Sequence, residues 1–382
     1  MGCDFIMKVL HFISGGDTGG AKTHVLTLLP RLMEIGVEIE LLCIMEGVFT
    51  IEAHKLNIPV NIIPQKKRYD ITVVKKISRF INDNNFDIVH CHGARANYIA
   101  AFIRKKINAV MITTLHSDYK LDFKDTWRKQ IIYEPINYFA LKRFGYILTV
   151  TNAFKNMMIE RKFKTDRLFV VYNGINFDYK PYFVSKREFC EKYKINYDEN
   201  TKYVGIAARL NAVKGIDIFL KTAFDICSKM KNVNFIIAGD GDDFDKYKAE
   251  INAKGLSDRI FMIGHIDDTD SFFNVLDVNM LTSLSESFPY ALLEGARMRK
   301  ATVSTGVGGI PEMILDGKTG FLVSPDDISD ISQKVIGLIT DKNLSDSFGN
   351  AFYNRVKEKF SDVKMAQTHK DIYDKIAKEK KQ

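Results

Sequence analysis

The stretch SESFPYALLEGARM, residues 285–298, sets two glutamates eight positions apart, Glu286 and Glu294, around a helix start marked by Pro289. Proline is tolerated at a first helical position because its missing N–H would have no intrahelical partner there. One carboxylate therefore precedes the helix, and the other lies about a turn and a half inside it. Carboxylates accept strong hydrogen bonds from paired hydroxyls, such as those of a ribose or a hexose. The plainer reading is a Glu286 that complements the helix dipole beside an incidental Glu294.

The neighbouring stretches raise the first reading above the second. Upstream, AARLNAVKG (207–215) puts Arg209 and Lys214 in the turn after an apolar strand, with Gly215 at a helix start. Two cations beside the positive end of a helix suit a diphosphate: arginine offers a fork of donors and lysine a point charge. Downstream, STGVGGIPEMILDGKTGFLVS (304–324) carries Gly306, Gly308 and Gly309 after a strand, where backbone is expected to approach a ligand closely. Gly317 and Gly320 mark tight turns there.

Apolar strands alternate with helical patterns along the whole chain, the signature of parallel α/β architecture. Seven strands are read between Met7 and Gly174, and six more between Lys202 and Ser324. Residues 173–200, polar and aromatic, break the rhythm and read as a linker. With 382 residues the chain predicts two doubly wound Rossmann-like domains. Their expected bounds are 1–175 and 176–361, with a helix at about 362–380 packing back on the first. Ligands are expected where the strand C-termini of both sheets meet.

Charge divides unevenly. Residues 1–175 hold 25 Lys and Arg against 16 Asp and Glu, while the remainder holds 30 against 31. A basic half reads either as solvated lysine faces or as the approach to an anionic partner, membrane surface or nucleic acid, and the absence of zinc-finger spacing or RNA-binding aromatics disfavours nucleic acid. The segment 127–145 carries Ile136, Phe139, Leu141 and Phe144 among basic residues. It reads either as an amphipathic helix packed on its domain or as one lying on a membrane. Five scattered cysteines and no long apolar run predict a cytoplasmic protein, peripheral on the inner face of the membrane at most.

Taken in order, GGDTGGAKTHV (15–25), VVYNGI (170–175), R-L-x-x-x-K-G, AGDG (238–241), the glutamate pair and the Gly-Gly-Ile-Pro-Glu segment resemble the retaining glycosyltransferases of family 4. That resemblance implies the GT-B fold, two such domains facing each other across a cleft. It implies transfer of a hexose or N-acetylhexosamine from a nucleoside-diphosphate sugar, UDP-linked, to a lipid-linked or cell-surface saccharide, with no metal and no cofactor. On matching positions, Arg209 and Lys214 would hold the diphosphate and Glu294 the ribose. Glu286, Ser287 and the backbone around Phe288 and Pro289 would grip the sugar. His116 would stand beside it, and Gly19 and Gly20 would line the opposite wall. Many members have glycine where this chain has Pro289, which leaves donor identity more open than donor binding. Rival readings are a sugar-nucleotide epimerase or retaining phosphorylase of the same fold, or a sugar-nucleotide binder without turnover.

Three signals are set aside. The run GDTGGAKT (16–23) falls one glycine short of a phosphate-cradling P-loop, so Lys22 is not expected on a nucleotide. Asp240 and Asp242 read as turn residues rather than a metal motif. His90 and His92 could share a metal, but the sequence shows no third ligand, and His92 is expected near the acceptor.

Overall fold

The computed structural model describes residues 7–17, 19–65, 70, 72–120 and 127–381, with the side chains of 127–133 and 381 outside that description. The chain forms two compact units, Met1–Asn176 with Asp362–Gln382, and Phe177–Ser361.

In the first unit seven parallel strands run β1 (Lys8–Phe12), β2 (Glu38–Cys43), β3 (Val60–Ile62), β4 (Ile88–His92), β5 (Val110–Leu115), β6 (Tyr146–Thr149) and β7 (Leu168–Val170). Their order across the sheet is β3-β2-β1-β4-β5-β6-β7, so the connection reverses between β1 and β4. Helices α1 (Gly20–Glu34), α2 (Val48–Lys55), α3 (Thr72–Asp83), α4 (Ala94–Ile103), α5 (Trp127–Leu141) and α6 (Asn152–Glu160) make the crossovers and flank the sheet. Helices on both faces explain why β4 is buried at every position. The turn into α1 is tied by Asp17, whose Oδ2 accepts from Ser14 Oγ at 2.6 Å and from the Gly15 amide at 3.2 Å. Gly19 then caps the helix at φ 68°, a left-handed value that favours glycine. Lys22 is paired with Glu52 of α2 at 2.6 Å.

The second unit repeats the plan with β8 (Lys202–Ala207), β9 (Val233–Ala238), β10 (Ile260–Gly264), β11 (Val278–Leu281), β12 (Ala301–Thr305) and β13 (Phe321–Val323). The order β10-β9-β8-β11-β12-β13 places its reversal between β8 and β11. Helices α7 (Lys186–Lys192), α8 (Ile216–Lys229), α9 (Phe244–Ala253), α10 (Thr269–Val275), α11 (Tyr290–Arg297), α12 (Ile310–Met313), α13 (Ile328–Thr340) and α14 (Lys342–Lys359) complete it.

Two expectations need correction. The stretch 173–200 is not linker throughout, because α7 occupies its middle and sinks Phe189 and Cys190 into the second core. Its start is legible after the fact: Ser185 and Glu188 form a reciprocal capping box. The helix α5 ends at Leu141, and Leu141 and Phe144 are buried in the first unit, so these two residues are unavailable to a membrane. Phe139 stays exposed, with the Arg143 guanidinium 3.9 Å from its ring centre. The apolar residues Ile131 and Ile132 of the same segment lie outside the described side chains. No described helix is long and apolar enough to cross a membrane.

The last helix, α15 (Asp362–Lys381), belongs to the first unit and packs on α1. Asp362 is nearly inaccessible and accepts from Arg31 Nε at 2.8 Å, while Tyr373 and Ile376 enter the core. Without Asp362, Arg31 keeps Glu34 at 2.8 Å on Nη1 but loses the charged acceptor on its Nε. Asp362→Ala is therefore expected to destabilise the first unit by about 3 kcal/mol in denaturant unfolding. A loss within about 0.5 kcal/mol would mean the pair is not holding α15 in place.

Candidate active site

At the reversal point of the second sheet, the loops after β8 and β11 bring Lys214 and Glu286 together. Lys214 Nζ lies 2.6 Å from Glu286 Oε1, and Ser283 Oγ donates to the same oxygen at 2.6 Å. The carboxylate is nearly buried, whereas Lys214 keeps partial access to solvent and Arg209 is exposed. Open α/β sheets bind ligands at such reversals because the diverging loops leave a crevice above the strand ends. Lys214 stands immediately before Gly215, which caps α8. The cation thus adds to the positive end of a helix, an arrangement that favours an anion.

Close backbone packing fixes these loops. Gly215 has φ 59°, and a Cβ there would lie 2.1 Å from the Thr282 carbonyl oxygen. Thr282 Oγ1 in turn donates to the Gly215 carbonyl at 2.9 Å, and the Leu284 amide donates to the Val213 carbonyl at 2.8 Å. Gly308 has φ 56°, and a Cβ there would lie 1.8 Å from the Glu286 carbonyl oxygen. This glycine therefore makes a close approach to the chain's own Glu286 loop. Asp240 also serves a turn, accepting from the Gly241 amide at 2.8 Å.

The rest of the glutamate stretch divides by burial. Pro289 is the N-cap of α11, not its first residue, with ψ 128° still extended. Helical conformation is disfavoured only for a residue that precedes a proline, which here is Phe288. The Phe288 side chain is core, edge-on to Phe360 at 5.0 Å between ring centres, so only its backbone is left to face a ligand. Ser287 is half-buried. Glu294 has its pKa raised to about 7, first by burial, with Asp270 adding to the rise and Arg297 opposing it.

The first unit contains a cluster that the sequence did not reveal. His11 of β1, His90 and His92 of β4, His24 of α1, and His369 and Tyr373 of α15 are all buried, with His116 just past β5 half-buried beside them. A hydrogen-bonded chain runs from His116 Nε2 to His92 Nδ1 (3.2 Å), and from His92 Nε2 to His11 Nδ1 (2.9 Å). It continues from His11 Nε2 to the Tyr373 hydroxyl (3.4 Å), to His90 Nδ1 (2.6 Å), and from His90 Nε2 to Thr114 Oγ1 (2.7 Å). A neutral imidazole has one N–H and one lone pair, so each link sets the polarity of the next. The expectation that His92 faces an acceptor is thereby corrected: both its ring nitrogens are engaged inside the core. Only the β4 alternation, with His90 and His92 on one face, was available in sequence. His11 joins them through strand register, directly opposite His90.

Burial lowers the pKa of each of these histidines, to about 4 for His24 and about 3 for His369, and neighbouring imidazoles push several lower still. The folded state therefore stays unprotonated where the unfolded chain, near its ordinary 6.5, takes up protons. This contribution to stability is complete above about pH 6.5 and is lost as pH falls below it. Urea unfolding of the first unit is expected to weaken steadily from pH 6.5 to pH 5. Stability that is flat across that interval would contradict neutral burial of the cluster.

Comparison with known proteins agrees with this geometry. The family described as Glycosyltransferase Family 4 matches residues 18–179, and that described as Glycosyl transferases group 1 matches residues 189–355. The chain is 25% identical over 333 residues to N-acetyl-alpha-D-glucosaminyl L-malate synthase of Bacillus anthracis, covering 86% of this chain and 85% of that one. It is 24% identical over 394 residues to the phosphatidylinositol N-acetylglucosaminyltransferase GPI3 subunit of Saccharomyces cerevisiae, covering 98% and 82%. Among solved structures, Anabaena HepE in complex with UDP and glucose superposes with a TM-score of 0.82 at 18% identity, covering 97% of this chain and 100% of that one. That likeness establishes the fold, GT-B. With both halves matched in order, the chain belongs to the group 1/family 4 glycosyltransferases.

Proposed function

We propose that this glycosyltransferase is a retaining enzyme that moves N-acetylglucosamine from its UDP conjugate to a hydroxyl on an anionic or lipid-linked acceptor. The observation that carries the reading is the Lys214–Glu286 pair at the sheet reversal, with Arg209 exposed nearby in sequence. When the glycosidic bond breaks, the electron pair leaves with the diphosphate and positive charge develops on the sugar. Arg209, Lys214 and the α8 N-terminus stabilise the departing diphosphate without calling on a metal. Glu286 and Ser287, with the backbone at Phe288 and Pro289, bind the sugar hydroxyls, and Glu294 binds the ribose.

No enzyme nucleophile is assigned. The leaving phosphate takes the acceptor proton on the face it vacates, the acceptor oxygen bonds to the anomeric carbon, and configuration is kept. His116 stands beside the donor sugar, and Gly19 and Gly20 line the wall opposite the diphosphate. Two names support the choice of sugar and acceptor. Both relatives transfer N-acetylglucosamine by name, and the alpha-D anomer named in the Bacillus protein is the one retention leaves. Malate and phosphatidylinositol are anionic, and the basic first half of this chain, 25 cations against 16 anions, suits such acceptors.

Thermal unfolding against a panel of UDP-, GDP- and ADP-sugars tests the donor. UDP-N-acetylglucosamine at 100 times its dissociation constant is expected to stabilise the fold by about 2.7 kcal/mol. Proton NMR of the product is expected to show the α anomer. No stabilisation by any UDP-sugar, or a β product, would overturn the proposal; turnover of the donor with no acceptor present would favour an epimerase.

A further inference from the structure

One ring nitrogen from each of His24, His92 and His116 lies within 4.8 Å of the other two. His92 Nδ1 and His116 Nε2 are 3.2 Å apart, close to the edge of a tetrahedron with metal–nitrogen bonds of about 2.0 Å. His24 adds the decisive feature. Its Nδ1 lies 2.9 Å from Asn173 Oδ1, an acceptor, so the ring proton sits on Nδ1 and Nε2 is left as a lone pair. That Nε2 is buried and has no hydrogen-bond partner among the described residues. A buried lone pair with nothing to receive costs free energy that a bound ligand would recover.

We propose that His24, His92 and His116 form a binding site for a zinc-class divalent cation in the first unit, separate from the diphosphate residues of the second. Three neutral imidazoles select zinc, cobalt, nickel or copper over magnesium and calcium, which prefer oxygen ligands. The supporting shell is in place: Asn173 orients His24, and His11 receives the second nitrogen of His92 at 2.9 Å. Binding needs no net loss of a proton. Of the two polarities the chain can take, the one in which His116 Nε2 donates leaves His92 Nδ1 a lone pair; there His116 moves its hydrogen from Nε2 to Nδ1, which frees Nε2 for the metal, and the chain onward through His11, Tyr373 and His90 keeps its polarity. A cavity of about 100 Å³ lined by Ala21, Gly93 and Asn97 has His116 in its wall. The sequence offered only His90 and His92 for such a role. The fold instead pairs His92 with imidazoles from α1 and from the end of β5.

Titration of the metal-free full chain with Zn2+ by calorimetry, and with Co2+ by absorption, tests this without reference to any sugar donor. One ion per chain is expected, with the intense visible bands of four-coordinate cobalt. His24→Gln is expected to weaken binding more than tenfold, and Asn173→Ser, which leaves all three ligands, about 10-fold or more. His265→Gln is expected to leave binding unchanged; His265 is exposed, 3.4 Å from Asp267, and is the surface alternative. Should His24→Gln fail to fold, the Asn173→Ser result decides. No saturable binding, weak six-coordinate cobalt bands, loss of binding in His265→Gln, or undiminished binding in Asn173→Ser and any folded His24→Gln would overturn the proposal.

Discussion

In the second unit, loops leaving neighbouring parallel strands rest directly on one another's backbone, and glycine alone permits it. A Cβ at Gly239 would lie 1.8 Å from the Ala208 carbonyl oxygen, and one at Gly241 would lie 2.4 Å from that of Leu210. Gly215 meets Thr282 and Gly308 meets Glu286 in the same way. These contacts link the ends of β8, β9, β11 and β12, and they set where Arg209, Lys214 and Glu286 stand. A buried carboxylate facing a lysine is costly to desolvate unless its geometry is held. The stacked loops hold it, and Ser283 supplies a further donor to the same oxygen.

The first unit is organised by a different constraint. Its strand ends gather imidazoles where most sheets gather aliphatic side chains, and α15 closes over them with Tyr373. Kept neutral, His116, His92, His11 and His90 satisfy one another in series with Tyr373, which explains how four of these imidazoles share one core. His116 is the half-buried end of that series.

The alternation of apolar strands and amphipathic helices was enough to place all thirteen strands, because parallel strands buried on both faces are written as continuous apolar runs. Motif glycines were legible as glycines, but the close contact of Gly308 with the Glu286 carbonyl was not. α7 was missed because a polar, aromatic segment hid its Ser185–Glu188 capping box. The histidine cluster was beyond reach, since His11, His24, His116 and His369 come from separate elements and only strand register and the return of α15 bring them together. The Lys214–Glu286 contact was likewise out of reach, although both residues were singled out, because their 72-residue separation says nothing of pairing.

The central claim is that Lys214 and Glu286 act as one donor-binding unit, the lysine passing from carboxylate to diphosphate as the sugar takes its place. A double-mutant cycle on UDP-N-acetylglucosamine affinity, comparing Lys214→Ala, Glu286→Gln and the pair by calorimetry, tests it directly. The account predicts that both single changes weaken binding and that their effects are non-additive by about 0.5–3 kcal/mol. Strictly additive losses, or affinity unchanged by either substitution, would contradict it.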